Sequence, residues 1–373
     1  MHKTRTVWVI GVVAALAVLG AACSSDSKTT SSSSTGSTPS TGSSSTVTGL
    51  TIDYSGLSGT LNASGSTFQA PFEEALIAAF QEKASGVTIN YGGGGSGKGK
   101  TDLHDQVVDF AGTDSLVKDA DKPGFKGGDL VYFPMAAAPI TVSYKLSGVS
   151  SLQLSPDTVA KIFQAQIKSW NDPVIAADNP GVTLPNTAIT VAHRSDGSGT
   201  TNNFTGFLDK AAKGTWTLGR GDTVNWDAST QAGNGNRGVA QIVQSADGGI
   251  GYVDFADAKA AGLSFAKIKN AAGKFVEPTL AGVSAALATT TPNADLTYDP
   301  LNAAGDTTYP IATPTWILVY KKQTDKAKGD ALKGYLNFLL TDGQDLANDA
   351  GYAKLPDAFR QKAIDQLNQI TTG

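Results

Sequence analysis

The chain has 373 residues, 40% hydrophobic and 17% charged, with a formal net charge of −4, the make-up of an ordinary globular protein long enough for about two domains. No basic stripe interleaved with aromatics occurs, which excludes nucleic acid as a partner. Cys23 is the single cysteine, so no internal disulfide can form, and the three histidines, His2, His104 and His193, stand at no metal-ligand spacing; neither a metal nor a cofactor is expected.

At the N-terminus, His2, Lys3 and Arg5 make a basic start, residues 7–19 an apolar run, and Gly20-Ala21-Ala22 a small-residue site before Cys23. Residues 1–22 therefore read as a signal peptide, the apolar run being short for a membrane span. A cysteine in this place resembles a bacterial lipobox, in which the thiol is lipidated and becomes the new N-terminus. Here Gly20 holds the position where Leu is usual, and Leu19 lies one place further back. The alternative is ordinary cleavage that leaves a stray thiol. Residues 24–46 are almost all Ser and Thr and cannot bury enough apolar area to offset their ordering entropy. The sequence thus predicts a disordered tether over 23–49, spanning roughly 25 Å as a flexible coil.

The folded part is expected to start near Leu50. Residues 57–62 read as a strand, followed by Gly65-Ser66-Thr67-Phe68 and then by Phe72, Leu76, Ala79 and Phe80 at helical spacing, with Pro71 tolerated in the first turn. A second unit of this design follows. Val87-Thr88-Ile89-Asn90-Tyr91 is a strand, 92–101 a Gly/Ser/Lys-rich turn, and Leu103, Val107 and Val108 a continuing helix face. Gly94 through Thr101 also satisfies the P-loop pattern G-x-x-x-x-G-K-T. An exported chain meets little ATP, Val107-Val108-Asp109 is too short for a convincing magnesium strand, and a run so rich in Gly matches by accident. Ser96 and the nearby N–H groups read more simply as an anion-facing helix start. Asp114 follows as a turn or cap residue, and 130–144 is a long apolar strand-like stretch bent at Pro134 and Pro139.

A helical pattern at Val159, Ile162, Phe163 and Ile167 leads through turns to the third unit. Ala188-Ile189-Thr190-Val191 is a strand, 193–201 a turn, and Phe204, Phe207 and Leu208 the apolar face of a helix that Ser198 or Thr200 can cap. The first N–H groups of a helix lack internal partners and its dipole favours negative charge there. With the guanidinium of Arg194 added, the turn reads as an anion cradle; by itself it could equally be a capped helix with a surface arginine. Asn234-Gly235-Asn236-Arg237-Gly238 leads into another helix, 249–253 is a strand, 309–320 a second long apolar stretch, and the final helices run through 332–339 and 358–367. Strands alternating with helices predict an α/β fold with mixed sheets covered by helices.

Together and in this order, Gly65-Ser66-Thr67-Phe68, 91–96, Thr113-Asp114, Trp170-Asn171-Asp172-Pro173, 194–201, 249–253, Gly343-Gln344 and Gly351-Tyr352 resemble one family, the phosphate-binding proteins (PstS type) of bacterial high-affinity phosphate ABC importers. The similarity runs over about 57–356. It implies a two-lobed periplasmic-binding-protein-like fold of type II with the ligand in the interlobe cleft, lobe one being 50–141 plus 311–373 and lobe two 142–310. It further implies that Thr67, Phe68 (through its N–H), Ser96, Asp114, Arg194, Ser198, Gly199 (N–H) and Thr200 hold phosphate, with Asp196 fixing Arg194 from behind. The implied protein is a monomeric, non-enzymatic receptor, lipid-anchored at Cys23 to the outer face of the cytoplasmic membrane, which delivers inorganic phosphate to a membrane permease. Gly97-Lys98-Gly99-Lys100-Thr101 is more basic than the family's usual continuation.

The proton on phosphate gives Asp114 a use. Phosphate keeps a proton near neutral pH and sulfate keeps none, so an ionised carboxylate, which only accepts hydrogen bonds, suits the first and repels the second. A receptor for sulfate or molybdate is the alternative. A hydrolase is the more distant one, since His193, Asp196 and Ser198 lie too close in sequence for a triad and Gly197-Ser198-Gly199 lacks the nucleophile-elbow spacing.

Overall fold

The computed structural model describes residues 47–373. The expected signal peptide, Cys23 and the expected tether up to 46 lie outside the described residues, whereas 47–49, also expected in the tether, pack on the fold through Val47 and the Thr48 N–H, which donates to Gln361 Oε1 at 3.1 Å. The first part of the fold is β1 (Gly59–Gly65), α1 (Ala70–Lys83), β2 (Val87–Gly94), α2 (Gly95–His104) and β3 (Phe110–Thr113). The long β4 (Leu130–Lys145) follows. Next come β5 (Gln153–Leu154), α3 (Pro156–Phe163), α4 (Pro173–Asp178), β6 (Thr190–Arg194), α5 (Gly199–Ala211), β7 (Gln231–Gly233), α6 (Gly235–Ser245), β8 (Gly249–Asp254) and α7 (Phe255–Ala260). Short β9 (Ser264–Phe265), β10 (Lys267–Lys269) and β11 (Phe275–Val276) precede α8 (Leu280–Ala288). The chain then returns through β12 (Ala312–Tyr320) and β13 (Lys322–Gln323) and closes with α9 (Lys326–Leu340), α10 (Asp357–Gln366) and β14 (Thr371–Thr372).

A mixed, nine-stranded sheet in the order β2-β1-β3-β12-β4-β8-β6-β7, with β9 also on β4, runs through the molecule. The outer groups, β2-β1-β3 and β8-β6-β7, are parallel within themselves, as strand–helix–strand crossovers require. Antiparallel β12 and β4 join them, and β4 changes partner along its length, from β12 over 130–139 to β8 over 140–145. Pro134 and Pro139 fall in the half of β4 paired with β12, with a register shift opposite Thr315/Trp316. The bends expected at these prolines are thus absorbed within one continuous strand.

Local chemistry explains where the elements start and stop. Ser198 caps α5 by accepting from the Thr201 N–H at 3.1 Å, and the buried Phe204, Phe207 and Leu208 face the sheet, where Phe204 stacks on Tyr252 at 4.5 Å. On the other half, Phe72, Leu76 and Phe80 of α1 are buried, with Phe80 edge-on to Tyr335 of α9 at 5.3 Å. Two expected helix faces end early. α2 stops at His104 because Gln106 turns to positive φ (59°), leaving Val107 67% exposed. α3 stops at Phe163 because Ala165 does the same (55°), and Ile167 is buried from the turn beyond.

Candidate functional site

The strand–turn–helix units place their helix starts against one another. The glycines at these starts are there because nothing larger fits. A Cβ on Gly199 would stand 2.5 Å from Ser96 Oγ and 2.8 Å from Asp114 Cβ, and one on Gly95, at φ +89°, would stand 2.2 Å from Asp196 Oδ2. Across the same seam the Gly97 N–H donates to Gly197 O at 2.9 Å. Asn203 Nδ2 of α5 reaches the carbonyl of Asp114 at 2.6 Å. Ser96, Asp114, Arg194, Ser198 and Thr200 are all buried, far from where charged and hydroxyl groups usually sit.

Two polar clusters meet there. In the first, Asp114 accepts from Ser66 Oγ at 2.6 and 2.7 Å, from Thr315 Oγ1 at 2.7 Å and, weakly, from Ser96 Oγ at 3.4 Å, while its own N–H donates to Ser96 Oγ at 3.1 Å. Burial pushes its carboxyl up to about 6, against the pull of the Ser66 and Thr315 hydroxyls, the Arg194 charge and Ser96. In the second cluster, Arg194 donates from Nε to Asp196 Oδ1 at 2.8 Å, pairs through Nη2 with Asp196 Oδ2, and reaches Thr200 Oγ1 from Nη1 at 3.3 Å. Burial raises Asp196, but the hydrogen bond and charge of Arg194 outweigh it and hold the carboxyl below its ordinary value. The Gly235 N–H also donates to Asp196 Oδ1, at 3.0 Å.

The remaining sequence-predicted residues complete this picture. Thr67 is half-buried, and its Oγ1 accepts from the Asn236 N–H at 3.3 Å and from Asn236 Nδ2 at 3.2 Å. The Phe68 N–H turns to Ser66 Oγ at 3.0 Å, and its ring lies edge-on to Tyr352. The Ser198 hydroxyl serves as the cap of α5. The fourth helix start, that of α6, is read in the sequence only as a lead into a helix, with no site role for Asn236: Asn236 is fully buried and bridges Thr67 to Thr200 Oγ1, the latter at 3.3 Å. Ser66 and Thr315, the main supports of Asp114, were passed over too. Ser66 carried a signal, lying inside the Gly/Ser/Thr turn, whereas Thr315 sits in an apolar strand and carried none.

The basic run after Ser96 contributes little net charge. Lys98 pairs with Asp102, and Lys100 with Asp222 at 2.7 Å. α2 begins at Gly95, and the Thr101 hydroxyl bonds the helix carbonyl of Gly97 at 3.0 Å, so the P-loop-like string is helix and not a phosphate-wrapping loop. Beside it, a cleft of about 850 Å³ opens between α2 and the 220–223 turn, lined in part by Lys100, His104, Lys118 and Arg220. His193 stacks on Trp226 at 5.0 Å, with Nδ1 against Arg194 O at 2.9 Å. Among the described residues no group of His, Cys, Asp or Glu could hold a metal ion, and no helix is long and apolar enough to cross a membrane.

Residues 30–343 match the family model of the PBP superfamily domain. The chain is 36% identical over 323 residues to phosphate-binding protein PstS 3 of Mycobacterium leprae, covering 83% of this chain and 87% of that one. It is 34% identical over 309 residues to phosphate-binding protein PstS of Pasteurella multocida, covering 81% and 88%. Among solved structures, a high-affinity periplasmic phosphate-binding protein bound with phosphate (PfluDING) superposes with a TM-score of 0.68 at 23% identity, over 83% of this chain and 93% of that one, a likeness of fold.

Proposed function

Because the chain belongs to the PstS family of phosphate-binding proteins within the PBP superfamily, we propose that it binds inorganic phosphate outside the cytoplasmic membrane and delivers it to the permease of an ABC importer. The observation that carries this reading is the convergence of four helix starts on a buried Arg194 and a buried Asp114. A buried anion must exchange its water for directed donors. The hydroxyls of Thr67, Ser96, Ser198 and Thr200, the N–H groups of Phe68 and Gly199 and the Arg194 guanidinium supply them, and Asp114 accepts the phosphate proton. On binding, the Phe68 N–H exchanges Ser66 Oγ for a phosphate oxygen. Asp196 keeps Arg194 aimed and balances its charge.

The segments on either side of the β4 partner change act as two lobes, 50–141 with 311–373 and 142–310, that close by hinge motion about β4 and β12. The Lys100–Asp222 pair and the Gly97–Gly197 contact then seal the closed form. Export by the 1–22 segment and lipidation of Cys23 place the monomeric receptor at the outer face of the membrane. Calorimetry of the protein with phosphate, sulfate and molybdate near neutral pH tests the reading. Tight binding of phosphate alone is expected, and preference for sulfate or molybdate would overturn it.

A further inference from the structure

A fully buried carboxylate lies behind the site. Glu73, on the inner face of α1, accepts from Tyr335 Oη at 2.8 Å and from Gln69 Nε2 at 3.3 Å. The other end of the Gln69 amide, Oε1, lies 2.6 Å from Thr315 Oγ1, which is itself 2.7 Å from Asp114 Oδ1. Glu73, Gln69, Thr315 and Asp114 thus form one unbroken buried chain between two carboxyls.

Counting hydrogens shows that this chain has two settings. The Thr315 hydroxyl has one proton and two short acceptor contacts, so it can serve only one of them. If Glu73 is ionised, the Gln69 NH2 points to it and the Gln69 carbonyl takes the Thr315 proton. Asp114 then faces a hydroxyl lone pair and keeps its short contact only by holding a proton itself. If Glu73 is protonated, it donates to the Gln69 carbonyl, the amide turned by half a rotation donates to Thr315, and Thr315 donates to an ionised Asp114. The second setting alone leaves Asp114 a pure acceptor.

We propose that Glu73 is a positioning residue for the anion: the two carboxyls share one buried proton, and phosphate binding places it on Glu73 so that Asp114 can accept the phosphate hydroxyl. This rests on the reading of Asp114 as that acceptor. Tyr335 and Tyr91 face Glu73, and Arg194, Tyr91 and Tyr352 face Asp114. The guanidinium therefore favours the negative charge on Asp114 over Glu73. Burial pushes the Glu73 carboxyl up to about 7 against its bonds from Tyr335 and Gln69, which suits it to hold the proton near neutral pH.

The test is phosphate affinity from pH 6 to 9 for the wild type, Glu73→Gln and Thr315→Val, with Asp114→Asn as control. The amide introduced by Glu73→Gln donates to Gln69 as protonated Glu73 does, but cannot titrate. Wild-type affinity should fall by about tenfold or more as the shared proton is lost, the worth of a hydrogen bond to a charged group. Glu73→Gln should match the wild type at pH 6 and lack that fall, and Thr315→Val should bind more weakly throughout, also without it. A Glu73→Gln profile parallel to the wild type, with phosphate still preferred to sulfate, overturns the proposal and leaves the Asp114 reading standing. Asp114→Asn with unchanged preference overturns that reading instead. Should Glu73→Gln not fold, difference infrared spectroscopy of the wild type decides. A protonated-carboxyl band changing position on phosphate binding, and unmoved in Thr315→Val, supports the relay; no change in the wild type overturns it.

Discussion

On the proposed reading, Asp114 and Arg194 carry opposite halves of the recognition problem, and their substitutions should fail differently. Asp114→Asn replaces a pure acceptor by a group that can also donate, so rejection of sulfate should weaken more than phosphate binding does. Parallel titrations of both anions check this, and unchanged selectivity would remove Asp114 from the role. Arg194 is buried against Asp196, with 1% of its side chain exposed. Arg194→Ala leaves Asp196 unpaired and should cost about 2–5 kcal/mol of phosphate affinity by calorimetry; a small loss would place the guanidinium outside the ligand's reach. The buried acids also set a pH dependence of stability. Glu73 and Asp114 are raised, to about 7 and about 6, so between their unfolded values and these the folded state binds more protons than the unfolded one. Stability of the ligand-free protein should therefore be greatest below the ordinary Asp value of 3.8 as far as these groups go, and fall as pH rises from there to about 7. The melting temperature of Glu73→Gln should fall less over that window than that of the wild type.

The elements that matter are helix starts, and their glycines set how near they approach. Gly199→Ala puts a methyl group into Ser96 Oγ and Asp114. Its backbone is not at positive φ, so the cost arises from the seam and not from the turn. Overpacking of this kind costs about 1–3 kcal/mol, and phosphate affinity should drop about tenfold or more, while the melting temperature of the ligand-free protein changes little. An equal loss of both would show that Gly199 supports the fold itself. Where the sequence predicted a turn over 92–101, β2 and α2 abut at Gly94 and Gly95, whose φ of 111° and 89° make the turn in two residues. That economy was hidden because a Gly-rich run reads as a loop whatever its partners. The Ser198 cap, by contrast, was legible, since a cap is satisfied by backbone a few residues away.

At the scale of the whole molecule, Lys100 and Asp222 pair across the seam between the two proposed lobes, with side chains 17% and 23% exposed. A pair so placed contributes modestly and is partly screened. Asp222→Asn should weaken phosphate binding by about 1 kcal/mol or less at low salt and by still less at high salt, measured as affinity against ionic strength. Salt-independent loss would assign Asp222 a packing role, through its contact with Asn202. The larger architecture was readable in outline. The alternation of strand and helix gave the α/β class, and two apolar runs, 130–144 and 309–320, marked what became β4 and β12.

Through its resemblance to one family the sequence implied most of the residues that meet at the site, and by itself it determined the local events: strand ends, turns, caps and helix faces. Each depends on neighbours within a few positions, so a short window holds the whole cause. The tertiary structure alone decided which polar groups meet. Asn236 reaches Thr67, Thr315 reaches Gln69 and Asp114, and Tyr335 reaches Glu73 only once β12 has taken its register between β3 and β4 and α9 has docked on α1. A hydroxyl in an apolar strand or an acid on a helix has no fixed meaning along the chain. Its role follows from the partner that burial forces upon it, and that partner lies hundreds of residues away.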